Sequence, residues 1–204
     1  SSESCVQKNR NLVSKTRKPD HRILSWIKNR WSPRAMSGET ISQEELMTML
    51  EAAKWAPSSY NNQPWRFMYA LRGTPNWDKF YNLMVPFNQM WTKNAACLIV
   101  VASKNSFDHN GEFMPTHSFD TGASCENMAL QGTRMGLVVH GMGGFDYDKA
   151  KKDLNIPDGY TVEAMFAIGK PGPVDVLPEG LRAGETPSGR KKIEEIACEG
   201  DFKF

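Results

Sequence analysis

Within five residues, Arg30, Ser32 and Arg34 of the segment N-R-W-S-P-R present two fixed positive charges and a hydroxyl. A guanidinium grips phosphate or carboxylate oxygens with a bidentate fork, so this spacing suits an anionic group. The same residues would equally serve as the basic end of a helix, facing the negative pole of its dipole. A second group lies in A-P-S-S-Y-N-N-Q-P-W, residues 56–65, where Ser58, Ser59, Asn61, Asn62 and Gln63 sit between Pro57 and Pro64-Trp65. Neutral amides and hydroxyls on a stiffened loop match the polar edge of a flat heteroaromatic ring, or else make a polar turn anchored by Trp65.

Other chemistries lack their signatures. There is no G-x-G-x-x-G after a strand, no G-K-[ST] phosphate loop, no H-E-x-x-H and no G-x-S-x-G. The histidines His21, His109, His117 and His140 are scattered, and His117 with Asp120, three residues apart at a helix start, suits capping or solvent exposure over catalysis. Cys5, Cys97, Cys125 and Cys198 form no C-x-x-C pair, which argues against a metal site and for buried free thiols in a reducing compartment, hence a cytoplasmic protein. With 25 basic against 23 acidic side chains, and no dense Lys/Arg block outside the N-terminal tail, nucleic acid is excluded as a partner. The one long apolar run, A-A-C-L-I-V-V-A at 95–102, is too short to span a membrane. What remains, an anion site and an amide-rich loop, answers the phosphate and the ring edge of flavin mononucleotide (FMN).

These residues must be held by a fold. Residues 1–19 lack an apolar signal core and read as a flexible extension; residues 20–204 read as one domain. Ile23, Leu24 and Ile27 predict a helix over 20–30. Ser42 and Glu45 form a capping-box pattern ahead of Leu46, Met49, Leu50 and Ala53 at helical spacing, a helix that Pro57 stops. Residues 66–71 and 95–102 predict strands, with a short helix at 77–84 between them. Residues 105–116 are polar and breaker-rich, and 120–135 form a long helix ending at Gly136 as its C′ glycine. Strands at 137–140 and 161–168 flank a short helix at 147–154, and 171–189 is extended connection. Helices and strands mix without regular βαβ alternation, which makes the class α+β.

The loop Pro57-Ser58-Ser59-Tyr60-Asn61-Asn62-Gln63-Pro64-Trp65 resembles the P-S-x-x-N-x-Q-P-W flavin loop of the nitroreductase family, at every fixed position. Four further segments resemble the family in order and spacing. Arg30-Trp31-Ser32-Pro33-Arg34 is similar to its R-x-S-x-R phosphate segment, and Asn88 to an asparagine near the flavin pyrimidine. G-L-V-V-H-G-M-G-G-F is similar to the backbone passing flavin N5, at Met142, Gly143 and Gly144. G-R-K-K-I-E-E-I is similar to its C-terminal phosphate stretch, with Arg190 as third phosphate ligand.

The resemblance implies a central, mostly antiparallel sheet surrounded by helices and an intertwined homodimer. FMN would lie at the subunit interface, phosphate arginines coming from one chain and the Ser58, Ser59, Asn61 loop from the other. It implies ping-pong reduction, in which NADH or NADPH gives hydride to the flavin and a small acceptor, nitroaromatic or quinone, then takes two electrons. The chemistry belongs to the cofactor, so no catalytic side chain is assigned. Glycine at 143 and 144 would let a backbone N–H approach N5 closely. Two positions depart from the family: Gly143 stands where many members carry Glu, and Ser188-Gly189-Arg190 lacks a preceding Lys, for which Lys170 or Lys191 would have to substitute. The resemblance also leaves room for a specialised member, a reductive dehalogenase or flavin-fragmenting enzyme, and for a flavin-binding sensor without turnover. Residues 105–118, with Phe107, Phe113 and Met114, read either as part of an acceptor lid or as a mobile loop.

Overall fold

A computed structural model describes residues 1–204. The apolar run at 95–102 forms the spine of a sheet. Strand β2 (Cys97–Lys104) is buried along almost its whole length and pairs antiparallel with β1 (Trp65–Leu71) on one side and β4 (Tyr160–Gly169) on the other. β3 (Val138–Met142) completes the order β1-β2-β4-β3, every pairing antiparallel.

Both faces of β2 are covered, which is why it shows no apolar/polar alternation. Leu98, Val100 and Ala102 pack with Phe80, Leu83, Met84 and Trp91, contributed by α4 (Trp77–Tyr81), α5 (Pro86–Thr92) and the turn between them. Cys97, Ile99 and Val101 pack with Leu46, Met49 and Ala53 of α3 (Gln43–Lys54) and with Met128 and Ala129 of α6 (His117–Arg134). The α+β class and antiparallel sheet therefore stand as expected.

Helix α3 begins at Ser42, whose hydroxyl accepts from the Glu45 N–H at 3.0 Å while the Glu45 carboxylate accepts from the Ser42 N–H at 2.9 Å, the capping box its sequence predicts. Helix α6 lies across β3 at Gly132. A Cβ there would stand 2.4 Å from Val139 Cγ2, so the close approach depends on the missing side chain. Gly132→Ala is expected to destabilise the fold by about 1–3 kcal/mol through overpacking, read as a lower urea midpoint; an unchanged midpoint would mean that α6 can shift freely.

Three expectations need correction. Residues 1–19 are not a flexible extension: they contain α1 (Ser2–Thr16), capped by Ser1, with Cys5 and Val13 buried. Val6 packs onto Gly136, whose Cβ would lie 3.3 Å from Val6 Cγ2, and this docking has no local sequence signal. The first predicted helix shrinks to α2 (Ser25–Asn29), because Leu24 occupies its N-cap and offers no side-chain oxygen; Ile23, Leu24 and Ile27 stay exposed. The thiols are all free, yet only Cys5 and Cys97 are buried, while Cys125 is half-buried and Cys198 exposed. The connection after β4 holds a 3₁₀ turn at Val174–Val176 and α8 (Glu179–Arg182), and α7 (Tyr147–Asp153) follows β3. No helix is long and apolar enough to cross a membrane.

Candidate functional site

The basic segment leaves α2 in extended form, and its side chains alternate. Trp31 and Pro33 turn inward and are buried, Ser32 is exposed, and Arg30 and Arg34 are partly buried. Arg30 donates to the Ser32 hydroxyl at 3.4 Å and approaches Glu126 of α6 at 3.6 Å. Arg34 lies over the rings of Phe87 and Trp91, at 5.5 and 5.9 Å, and its Nε is buried without any hydrogen-bond partner. A buried, unsatisfied donor on a guanidinium is costly unless an anion meets it.

Arg190 comes to the same region from the far end of the chain. Together with Arg17, Lys28, Arg30 and Lys191 it lines a cleft of about 640 Å³. In that cleft Arg190 folds back on its own turn, donating to the Ser188 hydroxyl at 2.9 Å. Burial first, then the charges of Arg190 and Arg30, pull the Arg17 guanidinium below its ordinary value, a mark of crowded positive charge. Of the two lysines considered as substitutes, Lys191 borders the cleft, whereas Lys170 acts on Glu39.

A polar junction is built where α5 meets the end of β3. The buried Asn88 amide donates to the Gly144 carbonyl at 3.0 Å and its oxygen accepts from the Trp91 indole N–H at 3.3 Å. A Cβ on Gly144 would lie 2.8 Å from Asn88 Nδ2 and 3.2 Å from Val85 Cγ2, so the position is kept bare by its neighbours. Met142 is buried and Gly143 exposed. The N–H groups of Gly143 and Gly144 donate to no backbone acceptor in the chain. Beneath the junction, His140 of β3 is buried, with Nδ1 3.0 Å from the Pro33 carbonyl and its ring 4.4 Å from Trp91. Burial, its largest perturbation, holds the imidazole down to about 4.

The amide-rich loop lies apart from these arginines, against the start of α6. Tyr60, Asn61 and Gln63 all have left-handed backbone, with φ of 53, 50 and 49°. Each such residue costs on the order of 1–2 kcal/mol unless the surroundings impose it. The surroundings do. The Ser58 hydroxyl accepts from the Gln63 N–H at 3.0 Å, and the Asp120 carboxylate accepts from the Ser59 N–H at 2.9 Å and from the Thr116 hydroxyl at 2.8 Å.

Asn62 is buried and ties the loop to the segment after β2, donating to the Ser106 carbonyl at 3.0 Å and accepting from the Asp108 N–H at 2.9 Å. Pro57, Asn61 and Gln63 are exposed. Asp120 and Asn62 act as positioning residues: Asp120, expected beside His117 only to cap or face solvent, holds the Ser59 N–H, and Asn62, expected among the ring-edge amides, is turned inward onto backbone atoms. His117 does not pair with Asp120: its Nδ1 lies 2.8 Å from the Ser103 hydroxyl, which donates to Glu163 at 2.7 Å.

The class these features define is an α+β protein with a cationic cleft, an unpaired buried arginine donor and a separate amide-bearing loop. The sequence pattern described as the nitroreductase family matches residues 27–84 and 72–170. A solved structure described as an oxidoreductase containing FMN is 41% identical, covering 92% of this chain and 96% of its own, with a TM-score of 0.88. An Archaeoglobus fulgidus protein attributed as an NADH dehydrogenase/NAD(P)H nitroreductase is 28% identical over 72% of this chain and 84% of its own. The major NAD(P)H-flavin oxidoreductase of Aliivibrio fischeri is 33% identical over 43% of this chain and 41% of its own. The chain belongs to the nitroreductase family, and with it to the oxidoreductases.

Proposed function

We propose that this chain binds FMN and works as a homodimeric NAD(P)H oxidoreductase, passing two electrons to small acceptors such as quinones or nitroaromatics. The observation that carries the proposal is the set of cations with too few anions: Arg30 and Arg190 in one cleft, and Arg34 with a buried Nε that nothing in the chain satisfies. A phosphate dianion fits this donor set in charge and in the chemistry of its guanidinium donors. Arg30, Ser32, Arg34 and Arg190 are the residues that would hold it, with Trp31 and Pro33 fixing the alternation that aims them.

When bound, FMN supplies two-electron hydride chemistry at its ring. The chain's own residues bind, orient and exclude water. Asn88 holds the Gly144 peptide through its carbonyl, and the free N–H groups of Gly143 and Gly144 stand as donors beside buried Met142. On the loop, the Ser59 hydroxyl and the Asn61 side-chain amide make no hydrogen bond within the chain, and the bonds of Gln63 to the Ser58 hydroxyl and the Asn61 carbonyl fix their position. Those unpaired groups suit a ring contributed across a dimer interface.

Surface area supports the dimer. The chain exposes 11600 Å² at 23.0 kDa. A compact monomer of that mass would expose about 9600 Å². The excess includes large apolar side chains, Leu24, Phe119, Ile196 and Phe202 among them. Four free thiols support a reducing, cytoplasmic setting.

The test is anaerobic. Purified protein is expected to be yellow, to bleach with NADH or NADPH and to recolour on addition of a quinone or nitroaromatic. A colourless protein that takes up no FMN removes the cofactor; bleaching by dithionite alone removes the reductase and leaves a flavin-binding sensor.

A further inference from the structure

The two halves of the proposed phosphate site come from opposite ends of the chain, and one residue outside both touches each. Arg17 follows the last turn of α1 as its C-cap, with extended backbone. Its Nη1 donates to the carbonyls of Lys28 and Arg30, both at 2.8 Å, and its Nε donates to the carbonyl of Ser188 at 2.9 Å. The first two carbonyls lie at the end of α2, on the backbone that leads into Ser32 and Arg34. The third lies two residues before Arg190.

We propose that Arg17 is a positioning residue that assembles the cofactor's phosphate site, pinning the 28–30 backbone to the 188–190 turn so that Arg30 and Arg190 converge on one anion. The proposal rests on the FMN reading above and adds a residue from a segment that the family's resembling motifs do not include. Arg17 acts in this role through backbone carbonyls, with its Nε and Nη1 engaged by them.

Three points favour this role over ordinary helix capping. A helix C-terminus is normally satisfied by contacts to its own last carbonyls, whereas Arg17 sends its guanidinium to carbonyls 11, 13 and 171 residues away. It does so at an electrostatic cost, since Arg190 and Arg30 both oppose its charge. Glu126, meeting Arg30 at 3.6 Å and more than half exposed, offsets little of that repulsion. An arrangement that crowds three guanidiniums is stabilised when a dianion joins them, so the network is organised for the loaded state. Arginine is also the side chain that can do this, because its planar fork presents Nε and Nη1 to separate acceptors at fixed angles, where an ammonium offers one point.

The test isolates the phosphate's contribution. Full-length protein is equilibrated with an equimolar mixture of FMN and riboflavin, freed of unbound flavin, and the bound flavins are quantified by chromatography. The wild type is expected to retain FMN over riboflavin. Arg17→Met is expected to lower the bound FMN-to-riboflavin ratio by about tenfold or more, the scale of one charge-assisted hydrogen bond broken by misalignment. Arg17→Lys keeps the charge but not the fork and is expected to lower the ratio in the same direction; it serves also if the methionine variant folds poorly. A merely structural Arg17 would weaken both flavins together and leave the ratio unchanged, and that result overturns the proposal. Failure of the wild type to retain either flavin would instead overturn the FMN reading itself, so the two failures are distinguishable.

Discussion

Trp91→Ala is expected to cost about 3–5 kcal/mol of stability, the scale of deleting a large buried aromatic side chain, and to strip the protein of flavin as well. The indole is 1% exposed and packs with the side of the core that holds Leu83, Leu98 and Met165. It is also the hub of the proposed site. Its N–H donates to Asn88, which holds Gly144, its face lies 4.4 Å from the His140 ring, and the Arg34 guanidinium rests over it.

Removal therefore opens a cavity beneath the phosphate segment and unfixes the Gly143–Gly144 peptide together. Trp91→Phe separates the two effects. It keeps most of the buried area and the ring under Arg34, but leaves the buried Asn88 oxygen without its donor, an expected loss of about 1–3 kcal/mol. Urea unfolding reports the first quantity and flavin retained through purification the second. A Trp91→Ala protein that lost under about 1 kcal/mol, or kept its flavin, would show that the core and the site are not mechanically joined here.

Whether an element was legible in the sequence depended on where its stabilisation comes from. Helix α3 carries its own start signal in Ser42 and Glu45 and its own apolar stripe in Leu46, Met49 and Ala53, so local chemistry was sufficient. Strand β2 was legible because a residue run buried on both faces has no polar position to hide it. Helix α1 was not, since its anchoring comes from packing such as Val6 on Gly136, more than a hundred residues away in the chain. Helix α5 was missed for a related reason: Pro86 begins it at the first helical position, but its seven residues are too few for a periodic stripe.

The site divides in the same way. Residue types announce themselves, so Arg30, Arg34 and the loop amides could be selected by chemistry and by resemblance. What aims them could not. Asp120 at the Ser59 N–H, Asn62 across to Ser106, and Arg17 between Lys28 and Ser188 are long-range hydrogen bonds made to backbone atoms. Backbone acceptors and donors are the same at every position, and no residue pattern marks which of them a side chain will meet. The left-handed run at Tyr60, Asn61 and Gln63 is equally silent, because none of these residues is the glycine that would advertise it.

Acid is expected to weaken this fold through His140. The Pro33 carbonyl can only accept, so Nδ1 carries the hydrogen of the neutral ring, and protonation must place a cation in a buried pocket near Arg34 and Arg30. Burial is the largest cause and the two arginine charges add to it, against the Pro33 and Ser32 backbone contacts, leaving the folded value at about 4. The unfolded value is about 6.5.

The sign follows from proton counting. Above about pH 6.5 neither state binds the proton and His140 has no pH effect. Between about 6.5 and 4 the unfolded chain takes up a proton that the folded chain refuses, so stability falls as pH falls, by a total of about 3 kcal/mol, and below about 4 the contribution levels off. His140→Gln keeps an N–H for Pro33 and removes the titration, so its unfolding free energy should lack this decline. A phosphate seated on Arg30 and Arg34 would offset their part of the shift but leave the burial part, and flavin-loaded protein should therefore show a shallower acid limb than flavin-free protein. Urea unfolding at half-unit steps from about pH 7 to 4 makes the comparison. Parallel wild-type and His140→Gln curves would assign the acid sensitivity to the exposed carboxylates instead, and would break the argued link between the β3 histidine and the charge of the arginine segment above it.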